Sequence, residues 1–212
     1  NYERVGLPIM AGKNLISERN TGVQNQDVYF IQAPGEKKAR VLLDPNKLSK
    51  DGTQAIAGTD VTEDGKIMAY AVSVGGSDWT EWRFRDTTTG KDLADKITDC
   101  KFAVGFFDAS GKTFYYLKFA KSADGRELVE ANLPGQLYAH KMGTSTAEDT
   151  LVYKTSKDSL YLWPAISPDR STVFLYMSPA ASINNRLSVL DLKTKKVSDL
   201  FAAEDSQYNP VT

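Results

Sequence analysis

Hydrophobic positions along this chain recur mainly with a period of two, the spacing of side chains on one face of a β-strand. In residues 66–74, alternate positions from Met68 to Val74 share one face, and those from Ile67 to Ala71 share the other. A strand that is apolar on both faces is expected to be covered on both sides. Similar runs, rich in β-branched and aromatic residues, occur at 27–32, 113–119, 136–142, 172–178 and 186–192.

The helical period is almost absent. Its best candidate is residues 91–101, where Leu93 and Ile97 stand four apart. Isolated segments shorter than about 12 residues form only marginal helices. We therefore assign no helix and predict an all-β protein.

Polar turns precede several of the predicted strands at a repeating interval. They are centred on Asp64, Ser110 and Asp169, which are separated by 46 and 59 positions, and the longer interval contains the polar insertion 120–135. Spacings of about 40 to 50 residues are typical of four-stranded β-propeller blades. A β-sandwich also has many short strands. The spacing favours a propeller, with the sandwich as the alternative.

Dividing the chain at these turns predicts about four antiparallel four-stranded blades, at 13–48, 53–95, 101–153 and 160–201. Residues 202–212 would lead into a further blade. Each blade buries its faces only against its neighbours, so an incomplete ring leaves apolar faces uncovered. We therefore expect the protein to self-associate through its exposed blade edges.

Composition and charge exclude several classes of partner. The 212 residues include 26 basic and 27 acidic side chains, with no long run of one sign. This balance argues against binding to nucleic acid or to an anionic membrane surface. No apolar run approaches the roughly 18 residues that span a bilayer. The sequence predicts a soluble protein and leaves a cytoplasmic or periplasmic location open.

Several short motifs appear in the order that is typical of one enzyme family. They include Asn20-Thr21-Gly22-Val23-Gln24-Asn25-Gln26, Asp44-Pro45-Asn46, Gly76-Ser77-Asp78-Trp79, Lys101-Phe102 and Asn185-Arg186-Leu187. Together they resemble the propeller of the prolyl oligopeptidase family. Members of that family are serine peptidases that cleave short peptides after proline. Their α/β-hydrolase domain performs the chemistry, and a seven-bladed propeller covers its active site.

The resemblance implies a role in gating and recognition. The chain matches about the first four of seven blades, and the family's catalytic serine, aspartate and histidine lie beyond the propeller. The implied partners are the hydrolase domain of the parent enzyme and short proline-containing peptides. Phe102 matches a propeller aromatic that contacts substrate, although a place in the blade core is an equal alternative. Asp78 is the second candidate for substrate contact and is expected near the domain interface. No cofactor is implied.

The residues themselves predict no catalytic site and no metal site. An α/β-hydrolase nucleophile needs a Gly-x-Ser-x-Gly turn, and none occurs. Ser77 and Ser145 lie in segments that match this nucleophile motif only in part. Ser77 is expected to cap a turn. The single histidine, His140, falls in a strand pattern and is expected to be a satisfied blade residue. Cys100 has no partner at a metal-ligand spacing.

Two other functions remain open from the sequence. One is a free-standing propeller that serves as a binding or scaffold module. The other is a hydrolase in its own right, which would require turnover by the 212 residues alone. A reading frame that continues into a Gly-x-Ser-x-Gly turn followed by Asp and His would favour the peptidase.

Overall fold

The computed structural model describes residues 2–119, 135–155, 161–179, 182–202 and 205–209. Their secondary structure is antiparallel β-strand, apart from two three-residue 3₁₀ helices at Pro45–Lys47 and Thr146–Glu148. None of the helices in these ranges is long and apolar enough to cross a bilayer. The chain forms two compact units, Asn1–Thr98 and Asp99–Thr212.

The first sheet of the first unit is built around one central pair of strands. β3 and β4 pair with each other, and β5 pairs with the far edge of β4. Two short strands, β1 and β2, pair one after the other with the free edge of β3. The strands are β1 (Arg4–Val5), β2 (Ile9–Ala11), β3 (Asn14–Asn20), β4 (Val28–Gln32) and β5 (Arg40–Leu43).

The second sheet contains β6 (Gln54–Val61), β7 (Ile67–Val74), β8 (Trp79–Asp86) and the first part of β9 (Asp92–Phe107). Strand β7 is buried on both faces, as its alternation predicts. Met68, Tyr70 and Val72 on one of these faces share a core with Ile16 and Ile31 of the first sheet. This apolar contact joins the two sheets of the unit.

The second unit also has two antiparallel sheets. The rest of β9 joins β10, β11 and β12 in one sheet, and β13 to β16 follow one another in the next. The chain after β16 returns to this sheet, where Tyr208 N–H donates to the Asn185 side chain at 2.8 Å. The strands are β10 (Thr113–Lys118), β11 (Gln136–Lys141), β12 (Thr150–Lys154), β13 (Tyr161–Ile166), β14 (Thr172–Ser178), β15 (Arg186–Asp191) and β16 (Val197–Phe201).

The six strands predicted from alternation are all present, within one residue of the predicted bounds. The segment 91–101, which was the best helical candidate, lies almost entirely in strand β9. Its Leu93 and Ile97 share a strand face because their spacing of four is also a multiple of two. The all-β prediction is therefore confirmed.

The motif that ends at Gln26 ties the first sheet to the second. The Gln26 side-chain amide donates to the carbonyl oxygen of Gln54 at 2.8 Å and accepts from the N–H of Ile56 at 3.0 Å. Asn46 exchanges a second pair of hydrogen bonds with the Gln26 backbone. Asn20, which is buried, donates to Asp27 and accepts from Gly22. Gln26 therefore holds the two sheets together, while Asn20 and Asn46 fix the loop that carries it.

Candidate functional site

Strand β9 contains a bulge at the position of Phe102. Tyr116 of β10 pairs with Gly105, but Lys118, two residues later, pairs with Cys100. The intervening part of β9 leaves the ladder, and Phe102 and Ala103 take left-handed φ values of 61° and 50°. Such conformations cost non-glycine residues roughly 1–3 kcal/mol and tend to occur at functional sites. Bulges likewise re-aim side chains beside binding sites.

The bulge places Phe102 in an aromatic cluster, which consists of Phe102, Phe119 and Trp163. The Phe102 ring lies 5.8 Å from that of Phe119, almost perpendicular to it, and 5.4 Å from that of Trp163. Both distances fall in the range of favourable aromatic pairs. Phe119 is buried, Phe102 is half-buried and Trp163 is 40% exposed. The cluster thus runs from the interior of the unit to its surface.

A cleft of about 380 Å³ begins at Trp163. Tyr176, the cross-strand neighbour of Trp163, and Ile183 add further apolar surface. Ser178 and Asn209 contribute neutral polar groups. None of the described residues that line the cleft is charged. The aromatic cluster and this cleft together form the candidate binding region of the second unit.

Asp78 lies in the first unit, in the exposed turn between β7 and β8. The adjacent Ser77 shapes that turn, because its hydroxyl accepts the N–H of Trp79 at 3.1 Å. The Ser77 N–H donates to the Val74 carbonyl oxygen at 3.1 Å. Ser77 has the turn-capping role expected of it. Phe102 and Asp78 therefore lie in different units.

The single histidine is a buried residue of strand β11. The His140 Nδ1 atom lies 2.7 Å from Asp149 Oδ1, and the two side chains are 0% and 2% exposed. The other oxygen of Asp149 accepts the hydroxyl of Tyr116 at 2.8 Å. Burial and then this hydrogen bond raise the pKa of Tyr116. The expectation of a satisfied strand histidine is confirmed.

The structure gives Cys100 and Ser145, the remaining candidates from the sequence, structural roles. Cys100 is a fully buried thiol, and burial strongly raises its pKa, which keeps it protonated at neutral pH. The hydroxyl of Ser145 caps the 3₁₀ helix Thr146–Glu148. Within the part of the chain that the structure describes, no group of three or more His, Cys, Asp or Glu residues could hold a metal ion.

A family model described as the prolyl oligopeptidase N-terminal β-propeller domain matches residues 1–212, the whole chain. The chain belongs to this family. Among curated proteins, the prolyl endopeptidase of Elizabethkingia meningoseptica is 34% identical over 198 residues, which cover 92% of this chain and 27% of that protein. That of Elizabethkingia miricola is 33% identical over 197 residues, with the same coverage. The chain thus spans about a quarter of the length of these prolyl oligopeptidase relatives.

Solved structures of prolyl oligopeptidases share the fold. One from a study of two prolyl endopeptidases matches with a TM-score of 0.84 and 27% identity, over 97% of this chain and 29% of that one. Prolyl oligopeptidase B from Galerina marginata, bound to a 35-residue substrate, also gives 0.84, at 22% identity and over 99% and 32% of the two chains. The predicted fold class, an incomplete all-β propeller of antiparallel blades, is confirmed.

Trp163 was not among the site residues predicted from the sequence. The sequence feature that could have identified it is the alternation of β13, in which Leu162 and Pro164 are buried and Trp163 between them is exposed. An aromatic residue on the exposed side of a strand is a candidate for binding. Pairing with Phe102 could not be inferred, because the two residues are 61 positions apart and meet only through the bulge of β9.

Proposed function

We propose that this chain is the propeller part of a serine peptidase that cleaves short peptides after proline, and that this part filters and contacts substrates without performing the chemistry. Family membership supports the enzyme class. The observation that carries the substrate role is Phe102, a half-buried aromatic side chain held in a strained bulge. A core residue would gain nothing from that strain, whereas a binding residue gains a fixed orientation.

Phe102 has the properties of a rigid apolar contact for a peptide side chain. Phe119 and Trp163 pack against its ring, so little side-chain entropy remains to be lost on binding. Phe119 is itself held closely, since a Cβ on Gly135 would lie 2.8 Å from its Cζ atom. The peptide would gain apolar contact with Phe102 on the side upstream of its proline.

Asp78 and the blade boundaries belong to the same proposal. The exposed turn at Asp78 is proposed to lie near the interface with an α/β-hydrolase domain, the catalytic partner of the parent enzyme. The four blades are proposed at 13–48, 53–95, 101–153 and 160–201, with 202–212 leading into a further blade. Strands β1 and β2, which pair with β3, add to the first of these blades.

The test uses the enzyme expressed from the complete reading frame. A benzyloxycarbonyl-Gly-Pro chromogenic substrate should be cleaved, and Phe102→Ala should raise KM about tenfold with kcat little changed, because about 1.4 kcal/mol of binding is lost equally in ground and transition states. Phe30→Ala, at a half-buried aromatic residue of the first unit, is the matched control and should leave KM unchanged.

The same assay on the 212 residues alone should show no turnover. Turnover that is abolished by Ser77→Ala would instead make this chain a hydrolase in its own right. A reading frame without a Gly-x-Ser-x-Gly turn beyond residue 212 would overturn the peptidase assignment and favour a free-standing binding module.

A further inference from the structure

Two consecutive residues of the β9 bulge, Lys101 and Phe102, pack on the same aromatic ring. The Lys101 ammonium group lies over the ring of Phe119, 6.0 Å from its centroid, and the Phe102 ring lies 5.8 Å from it. In a regular strand, neighbouring side chains point to opposite faces. The left-handed φ values of Phe102 and Ala103 break that alternation. The bulge therefore allows both side chains to reach Phe119.

Lys101 differs from most lysines because it is buried. The residue is 7% exposed, whereas the majority of lysine side chains reach water. An ammonium group that is taken out of water needs contacts that stabilise its charge. The face of an aromatic ring is one such contact, and its attraction for a cation is stronger when the pair is shielded from water. Lys101 is therefore held against Phe119 and, in turn, restricts the movement of that ring.

Gly135 also packs closely against the Phe119 ring. A Cβ at Gly135 would lie 2.8 Å from the Phe119 Cζ atom and 3.2 Å from Cε1, so a larger residue there would have to displace the ring. The backbone of Gly135 is outside the left-handed region, so an alanine would meet the ring without straining the chain. Phe119 is thus confined by both Lys101 and Gly135, and it offers Phe102 a fixed surface.

We propose that Lys101 is a positioning residue for substrate recognition, which fixes Phe119 and thereby the orientation in which Phe102 meets a peptide side chain upstream of the proline. Lys101 has too little exposed surface to bind a peptide itself, so it acts through Phe119. An aromatic contact that is already fixed loses little entropy when a ligand binds. The proposal rests on the proposed peptide contact of Phe102 and adds the residue that makes this contact rigid.

The experiment uses the enzyme expressed from the complete reading frame and two chromogenic substrates, benzyloxycarbonyl-Gly-Pro and acetyl-Gly-Pro. Only the first carries an apolar ring upstream of the proline that could reach Phe102. Lys101→Met removes the charge and keeps most of the side-chain length. It should raise KM for the first substrate about fivefold with kcat little changed, because the contact is made equally in ground and transition states. KM for the acetyl substrate should stay the same.

Three further variants separate positioning from a merely structural role. Lys101→Arg keeps a cation that stacks on aromatic rings and should retain KM within about twofold. Lys118→Met, at a lysine that lies over Tyr138 instead, 5.5 Å from its centroid, should leave KM unchanged. Adding Lys101→Met to Phe102→Ala should raise KM no further, because the side chain that is positioned is already absent.

Gly135→Ala tests the same ring without changing a charge. It should displace Phe119 and raise KM for the benzyloxycarbonyl substrate alone. Gly6→Ala is its control and should leave KM unchanged, because a Cβ at Gly6 would make only an ordinary contact, at 3.5 Å from Glu18. If Lys101→Met does not fold, Lys101→Gln, which also removes the charge, takes its place in each comparison.

Three results would overturn the proposal. The first is an unchanged KM for the benzyloxycarbonyl substrate in the neutral Lys101 variant or in Gly135→Ala. The second is an equal rise in KM for both substrates, which would indicate a general loss of structure. The third is an additive effect of the Lys101 variant in the Phe102→Ala background.

Failure of this proposal is distinct from failure of the proposed function. An enzyme whose KM rises on Phe102→Ala but not on Lys101→Met would retain the peptide contact and lose the positioning role. An enzyme whose KM does not change on Phe102→Ala would lose the contact itself, and the positioning role with it.

Discussion

At the scale of single residues, the Tyr116–Asp149–His140 group shows how a strand histidine is accommodated without catalysis. Both oxygens of the Asp149 carboxylate are engaged, one by Tyr116 and one by His140. A serine hydrolase also orients its histidine with a carboxylate, but there the histidine must reach a nucleophile at an accessible surface. The complete burial of His140 gives this group a role in stability.

The ionisation of Tyr116 should make the protein sensitive to alkali. Its folded pKa is raised, so its stabilising contribution is complete below the unfolded pKa of about 10 and is lost as pH rises through the folded value. Tyr116→Phe should lower stability at pH 7 by about 1.5–3 kcal/mol, because the hydrogen bond to Asp149 is lost. Above pH 10, its stability should decline less steeply than that of the unaltered chain.

Urea unfolding at pH 7 to 11.5 measures both effects. Tyr2→Phe, at a tyrosine that is 77% exposed, is the control and should follow the unaltered chain. Burial also raises the pKa of Tyr29 and Tyr70 to about 12, so the Tyr116 variant keeps part of the alkaline decline. Identical slopes for Tyr116→Phe and the unaltered chain above pH 10 would contradict the assignment.

At the scale of elements, the polar turns that separate the strands also form contacts between sheets. Gly65, in the turn before β7, has a φ of +73°, and a Cβ there would overlap the carbonyl oxygen of Ala11 in the first sheet. Thr87 donates to the Gly65 carbonyl oxygen at 2.5 Å. A predicted turn glycine therefore also serves the packing of neighbouring sheets.

Gly65→Ala should be considerably more destabilising than Gly90→Ala. Both glycines have left-handed φ values, +73° and +70°, so both variants lose roughly 1–2 kcal/mol from the backbone. Only Gly65→Ala adds an overlap with backbone, because nothing lies within 4 Å of a Cβ at Gly90. Urea denaturation should show a difference of at least about 2 kcal/mol. Equal losses would mean that the two sheets can separate at this turn without cost.

The sequence predicted the strands better than the site, for a physical reason. Period-two alternation in β7 or β14 is a local property, which the two faces of a strand impose directly. The bulge at Phe102 depends on how β9 pairs with β10, and that register is set by contacts distant in sequence. Phe102 itself was identified only through resemblance, and its contact with Trp163 required the structure.

At the scale of the whole molecule, the outer face of the first sheet carries several exposed apolar side chains beside polar ones such as Gln32. Cross-strand pairing places Met10 opposite Leu15 and Phe30 opposite Val41, all on one face. Met10, Leu15 and Val41 are 66%, 40% and 49% exposed. Apolar faces of this kind are rarely left in water by monomeric proteins.

We therefore predict that the 212-residue chain forms dimers or larger assemblies at micromolar concentration, with this face in contact with a second copy. Sedimentation velocity should show the assembly, and Leu15→Lys should shift it toward monomer, because a charge would be buried without a partner. Val23→Lys, at a loop position that is 78% exposed, should not. Monomer alone across that concentration range would contradict the prediction.

The Gln26 side chain covers part of the exposed edge of the second sheet. Strand β6 ends its sheet, and the backbone groups at Gln54 and Ile56 face outward from it. The Gln26 amide bonds to both groups, and so satisfies one end of an edge at which a β-segment of another chain would otherwise pair. We therefore expect the Gln26 amide to hinder the addition of a further β-strand at this end of β6, which is the step by which fibrils grow.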